Sequence, residues 1–429
     1  MKQYKFLQTI FLTGALLAAC QKGEIPNLNT PVAGSTDSKE EIDNLVTGLE
    51  SSMRFTLNTY FDAVSILGRE IYRFSSSEPR YVTELMGQGE LNNNTFYITN
   101  PWTSRYRAVR QGNTILDAAA NASFLTEEQK KGYSGFVKTI MAHQLLMNLT
   151  LTHSNGIRTD VKNLSQLGPI KPAAEALADI AALLDEGKAD LTGSAIDFPL
   201  SDGFANFKTP AGLLRFNRAL AARVAVYRQQ WAAALTALNE SFFDLNGPFS
   251  TGIYHVFSNA SGDQLNNLFL PRNNTGESRL AHPSYATDIT AGDDRIGKAA
   301  LRTDAVTLNG LTSNRDVWIY TTNTSPIAII RNEELILIYA EAKINLNQFP
   351  DAVVAINRIR TGHNLPVYVG AISQAALITE MLRQRRYSLF AEGHRWVDMR
   401  RYGRLAELPN TRPNDKVWEN FPIPLTESN

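Results

Sequence analysis

The sequence predicts a mainly α fold, in which paired helices form a scaffold that carries one long loop-rich excursion with minor β content. Three observations predict it. From Glu40 onward most of the chain repeats apolar residues at three- and four-residue spacing, the signature of amphipathic helices. Several of these segments are neighbours separated by only a short turn, as in helical hairpins. Between the hairpins, a stretch over about 243–329 is rich in Gly, Asn, Thr, Ser and Asp and loses the helical period.

In chain order, the spacing predicts helices over about 40–67, 103–121, 126–152, 172–186, 209–228, 231–240, 331–347, 350–361, 373–392 and 394–404. Two of the pairs share a pattern. Ala222, Trp231, Ala234 and Leu238 recur 118 residues later as Ala340, Phe349, Ala352 and Ile356. A small residue where two helices cross, an aromatic at the turn and a second small residue on the next helix is tetratricopeptide-like patterning. Trp231 and Phe349 are therefore expected as packing wedges. A second irregular stretch runs from about Phe74 to Trp102, with Gly87-Gln88-Gly89 and Asn92-Asn93-Asn94 as loop tips.

Composition removes several function classes. The 42 Lys and Arg balance 42 Asp and Glu in 429 residues, so the concentrated basic surface of a nucleic-acid binder is not expected. With 43% hydrophobic and 20% charged residues the bulk of the chain is not disordered. A single cysteine excludes zinc fingers, dithiol redox motifs and intramolecular disulfides. None of the six histidines stands in an HExxH or similar metal spacing, and no P-loop, GxSxG elbow or GxGxxG occurs. The acidic loop Asp288–Asp294 lacks EF-hand spacing and reads as a solvated turn. No catalytic residue, metal or cofactor is expected. A carboxylate pair of the glycosidase kind is the one arrangement that sequence alone leaves open, since its two members need not be neighbours.

The N-terminus reads as an address. Lys2 and Lys5 precede an apolar run from Phe6 to Ala19, too short for a comfortable membrane span. Leu17-Ala18-Ala19 then leads into the sole cysteine, Cys20, and this resembles the lipobox of bacterial lipoproteins. The resemblance implies a signal peptide over 1–19, lipid attachment at Cys20 and a mature chain of 429 − 19 = 410 residues. Residues 20–39, polar and rich in Gly, Pro, Asn and Thr, are expected to act as a tether. The remainder, 40–429, is expected to be a single domain. Lys22-Gly23-Glu24 resembles the surface-export signals of some lipoproteins, which would put the anchor on the outer face.

The segment from Arg383 to Tyr402 is dense in arginine yet interleaved with Leu389, Phe390, Trp396, Val397 and Met399, with Glu392 and Asp398 at hand. Arginine–carboxylate pairs locking a helix end account for that mixture without a ligand. Here the chain closely resembles the C-terminal signature of SusD/RagB-family outer-membrane lipoproteins, carried by Glu392-Gly393-His394-Arg395-Trp396 followed by Asp398 and Arg400-Arg401-Tyr402-Gly403. Arg331 to Ala342 is similar to a second family helix, Ala355 to Arg360 to the one after it, and Phe421-Pro422-Ile423-Pro424 to the terminal turn. Trp102 to Val109 with Asn113, and Arg215 to Tyr227, resemble two earlier helices. Gln384 and Tyr387-Ser388 depart from the pattern and put one internal ion pair in question.

The resemblance implies a non-catalytic surface lipoprotein that captures a nutrient, usually a glycan and sometimes a peptide. It would pass the nutrient to a TonB-dependent, SusC-like β-barrel transporter in the outer membrane. The motif residues are scaffold in that family, so binding groups are sought elsewhere. Sugars need aromatic faces and amide, carboxylate or guanidinium partners. The two irregular stretches supply Tyr72, Tyr81, Arg315, Trp318 and Tyr320 as the leading candidates, with Arg73, Asn93, Phe96, Tyr97, Tyr254, His255, Phe257, Arg272, Asn273, Tyr285 and Asp316 behind them. The competing readings are peptide capture, a lipid-anchored glycoside hydrolase and a scaffold that binds only protein.

Overall fold

The structure, a computed structural model, describes residues 38–427. The expected signal peptide, Cys20 and nearly all of the tether lie outside the described residues.

The first helix, α1 (Lys39–Met53), opens at Ser38, whose side chain accepts from the Glu41 amide, and buries Ile42, Leu45, Val46 and Leu49 on one stripe. The sequence period runs on into α2 (Leu57–Leu67), but the structure breaks the two apart at Thr56, which takes a left-handed φ of 53°. The cause is distant in sequence. Buried Arg105 donates to the carbonyls of Met53 at 2.8 Å and Phe55 at 2.5 Å, satisfying a helix end that would otherwise be left open.

After α2 the chain forms strand β1 (Ile71–Ser75), then loops to α3 (Phe96–Asn121). This helix starts at Phe96, not at residue 103, and carries Pro101 inside its second turn. It pairs with α4 (Glu127–Thr152), entered through a capping box of Thr126 and Gln129. The short strands β2 (Ile157–Arg158) and β3 (Ile170–Lys171) precede α5 (Ala173–Leu191), which packs against α4. A Cβ placed on Gly135 would lie 2.6 Å from Leu191 Cγ, so the approach of these two helices depends on that glycine. The hairpin α6 (Pro210–Tyr227) and α7 (Trp231–Asn239) follows.

The excursion then contributes β4 (Gly252–His255), β5 (Glu277–Ala281), a short helix α8 (Pro283–Asp288), β6 (Ala299–Leu308), β7 (Leu311–Val317) and β8 (Ile327–Arg331). It closes into α9 (Asn332–Asn345), followed by α10 (Phe349–Gly362), α11 (Gln374–Ser388) and α12 (Arg395–Arg401). The fold is mostly helical, as the periodicity implies. In both patterned hairpins the small residues Ala222, Ala234, Ala340 and Ala352 are fully buried, and half-buried Trp231 and Phe349 open the second helix of each pair.

The strands are more ordered than a loop-rich reading implies. An antiparallel sheet runs in the order β1-β5-β7-β6, so the strand just after α2 pairs with one some 200 residues away, with Tyr72 opposite Leu280. A separate ribbon pairs β4 with β8, placing His255 opposite Ile327.

Charge pairing ties the C-terminal helices to everything else. Helix α9 is buried nearly all round and contains three buried carboxylates. Glu334 holds Arg223 of α6 through two 2.7 Å bonds. Glu333 accepts from Arg331 at 3.0 Å and meets His363 at 2.8 Å. Glu341 takes Arg401 of α12 at 2.7 Å, and Arg401 also pairs with Asp398 at 2.8 Å. Asp398 in turn binds Arg385 of α11 at 2.6 Å, while Glu392 binds Arg331. The turn between α11 and α12 needs positive φ at Ala391 (55°) and Gly393 (83°). The Gln384 departure costs no pairing: its carbonyl accepts from Arg295 and its amide donates to Glu380, both at 2.7 Å.

Replacing Glu334 by Gln keeps the shape but strands the buried Arg223 charge. The expected loss is about 3–5 kcal/mol of unfolding free energy, read from the urea midpoint, with an Arg223→Met/Glu334→Leu double variant recovering much of it. An unchanged midpoint in the single variant would contradict the pairing.

Acid is expected to destabilise the fold. Burial holds the imidazoles of His255 and His282 down at about 3 and that of His394 at about 4, against about 6.5 in an unfolded chain. The unfolded state therefore binds more protons across that window, and stability falls as pH drops below about 6.5. Glu70 opposes this: burial pushes its carboxyl up to about 8, so its contribution is lost as pH rises from about 4.5 towards 8. Three imidazoles outweigh one carboxyl, so Tm by scanning calorimetry should be lower at pH 5 than at pH 7.

Candidate functional site

The five candidate side chains separate by burial. Tyr72 lies on β1 with 1% of its surface exposed; its hydroxyl bonds Thr411 Oγ1 at 2.8 Å, and its ring stacks on Phe74 and meets His282 edge-on. Tyr81 closes a 3₁₀ turn, Pro79–Tyr81, and is 8% exposed, held between the edge of Phe96 and the Arg73 guanidinium. Tyr320 is 7% exposed in the core beneath the sheet, beside Phe61, Asp62 and Arg279. Burial raises all three phenols above their ordinary range. Each ring thus pins a loop or strand to the core and turns little area to solvent.

Arg315 and Trp318 keep partly open surfaces at the β7 end of the sheet. Arg315 is half-buried and donates to the Ala299 carbonyl at 2.8 Å, bracing β7 against β6. Trp318 is likewise half-buried. Its backbone amide donates to Lys298 at 2.7 Å, which fixes the ring's base. Phe269 approaches it at 6.3 Å between ring centroids, and the exposed Arg272 guanidinium lies 5.8 Å from the Trp318 ring.

This group is carried by a rigid frame. The buried Arg302–Asp316 pair joins β6 to β7, and Asp316 also accepts from the Asn273 amide at 2.8 Å. Arg302 reaches the Asn274 carbonyl at 3.0 Å, and Arg272 itself donates to Leu301 at 2.6 Å. Asn266, 2% exposed, staples the neighbouring loops through the Asn323 and Ser325 carbonyls, each at 2.7 Å. The surface so held offers an indole face, a phenyl ring, a guanidinium and a rim of Asn, Thr and Ser. Chemically it can stack on an apolar face and donate to hydroxyl or carbonyl oxygens. Phe269 is the member that sequence reasoning did not pick. Its signal was the one applied elsewhere, an aromatic among Asn266, Asn267, Arg272 and Asn273.

A second opening lies beside α1. A cleft of about 300 Å³ is bounded by the end of α1, residues 199–204 and the start of the loop after β4. Through His255 and Ile329 it borders a buried chamber of about 50 Å³, which His143 and His394 also line. Among the described residues, no group of three or more His, Cys, Asp or Glu side chains could hold a metal ion, and no helix is long and apolar enough to cross a membrane. The acidic loop before β6 is engaged internally: Asp288 pairs with Arg386, Asp293 with Arg295, and Asp294 with His363.

Residues 302–423 match the sequence profile of the SusD family. A 90-residue stretch is 33% identical to a SusD-like protein of Formosa agariphila, and spans 19% of this chain and 18% of that protein's length. Solved structures are similar over far more of the chain. A SusD superfamily protein of Bacteroides vulgatus superposes with a TM-score of 0.69 at 15% identity, covering 91% of this chain and 97% of that one. A surface glycan-binding protein A of Bacteroides thetaiotaomicron, solved in complex with laminarihexaose, gives 0.70 at 13% identity, with 91% and 97% covered. Residues 302–423 thus carry the SusD family profile, with Arg385, Asp398, Arg401 and Glu341 paired as described, and the fold is that of these solved structures over 91% of the chain.

Proposed function

We propose that this protein is a non-catalytic, cell-surface lipoprotein that binds an oligosaccharide and delivers it to a TonB-dependent, SusC-like transporter of the outer membrane. The observation that carries the binding part is the partly open Trp318 ring, flanked by Phe269 and Arg272 and held by a sheet whose other aromatics are buried. A rigid indole costs little entropy to engage, and its face suits the C–H side of a pyranose ring while Arg272 serves the hydroxyls. The laminarihexaose complex of a structural neighbour supports a glycan over a peptide. The transporter and the lipid anchor rest on the family resemblance and on Leu17-Ala18-Ala19-Cys20. The balanced charge of the chain agrees with capture of an uncharged ligand without long-range electrostatic steering.

Calorimetry of protein lacking its first 20 residues, against a glycan panel that includes laminarihexaose, is expected to give saturable binding and no cleavage product. Trp318→Ala should weaken that binding at least tenfold, about 1.4 kcal/mol. Binding to peptides with none to glycans would favour the peptide-capturing alternative.

A further inference from the structure

We propose that the cleft beside α1 is a second ligand site, built for a group that bears a primary ammonium. The proposal is independent of the oligosaccharide surface at Trp318 and rests on charge and hydrogen-bonding capacity inside the cleft.

Three polar groups of the wall carry the argument. Arg54 is already committed, to Asp263 at 2.7 Å and to the Val256 carbonyl at 2.6 Å. Glu50 accepts from the Ser201 amide at 3.1 Å and from the Ser201 hydroxyl, and among the described residues it forms no ion pair. Its carboxyl is raised above the ordinary range, because burial outweighs the two Ser201 bonds and the charges of Arg54 and Lys208. His255 is 6% exposed, lines the same cleft, and its ring makes no hydrogen bond among the described residues. Burial, with Arg105 and Arg54 adding repulsion, keeps that ring neutral. It therefore presents an unused lone pair.

The cleft is thus rich in acceptors and short of one positive charge. Among the residues that line it, Glu50 and Asp263 are two carboxylates against the one guanidinium of Arg54; Lys208, outside the lining and paired with Asp202, adds only its field at Glu50. An ammonium supplies three donors and the missing charge together. A neutral hydroxyl supplies one donor and leaves the Glu50 charge desolvated. Met53, Leu200, Phe204 and Ile329 give the cleft apolar walls for the carbon skeleton beneath that ammonium. An amino sugar and a lysine or N-terminal amine share this chemistry.

The test is calorimetric titration of the full-length protein with matched pairs of probes: glucosamine against glucose and N-acetylglucosamine, and glycyl-lysine against its doubly N-acetylated form. The expected result is that at least one ammonium probe binds tenfold or more tighter than its neutral counterparts, and that E50Q removes the preference. The tighter of the two ammonium probes identifies the source. Equal binding of charged and neutral probes, or no binding of either ammonium probe, overturns the proposal on the unmutated protein alone. Retention of the preference in E50Q, with its melting temperature unchanged, overturns the role of Glu50 and with it the proposal. Since W318A is read with oligosaccharides and E50Q with amines, failure at one surface is distinguishable from failure at the other.

Discussion

Three carboxylates on one buried helix hold the rest of the molecule in place. Glu333, Glu334 and Glu341 of α9 project from a helix with almost no solvent-facing side, and each finds a cationic partner on a different element. Burying such charges is expensive, and a pair of them gains little over a hydrophobic replacement. Removing one partner is far worse, because the other charge is then left in the core. The pairs therefore act chiefly as specification. Arg223 fixes α6, Arg331 fixes the end of β8, and Arg401 fixes α12, with Asp398 passing the link on to Arg385 of α11. This arrangement sets where β8 enters α9, and hence where the excursion begins and ends. Asn332 secures the other side, exchanging bonds with the Asp244 backbone at 2.9 Å and 2.7 Å.

The helices were legible in the sequence because their signal is local. Apolar spacing, and the small and aromatic residues that mark each hairpin, such as Ala222, Trp231 and Ala234, lie within a few turns of one another. The arginine-rich C-terminal segment was legible for a related reason: acidic and basic residues interleaved with large apolar ones imply internal pairing, and Arg385–Asp398 and Arg401–Glu341 are such pairs. Non-local interactions were out of reach. The break after Met53 comes from Arg105, 52 positions later. The pairing of β1 with β5 spans about 200 residues, and nothing near Tyr72 announces it.

The same limit governs the site. Tyr72, Tyr81 and Tyr320 satisfied the sequence criterion, aromatics beside polar neighbours away from the repeats, as well as Trp318 did. What separates them is which strand or turn covers each ring, a property of the sheet order and not of the neighbouring residues. Phe269 shows the converse, an aromatic in a polar loop that becomes part of the exposed group because the Asn273–Asp316 and Arg272–Leu301 bonds bring its loop to the end of β7. The proposed binding at this surface thus rests on a frame of buried polar bonds, and the surface is aromatic and donor-bearing where the cleft beside α1 is acceptor-rich.

The central claim is that this frame presents Trp318 to a saccharide. Its most direct test is a crystal structure of the protein with a bound oligosaccharide. The account predicts a pyranose ring lying on the Trp318 indole, with Arg272 within hydrogen-bonding distance of its hydroxyls and no rearrangement of the buried tyrosines. A saccharide seated elsewhere with Trp318 untouched, or one reached only after Tyr72 or Tyr320 swings out of the core, would contradict it.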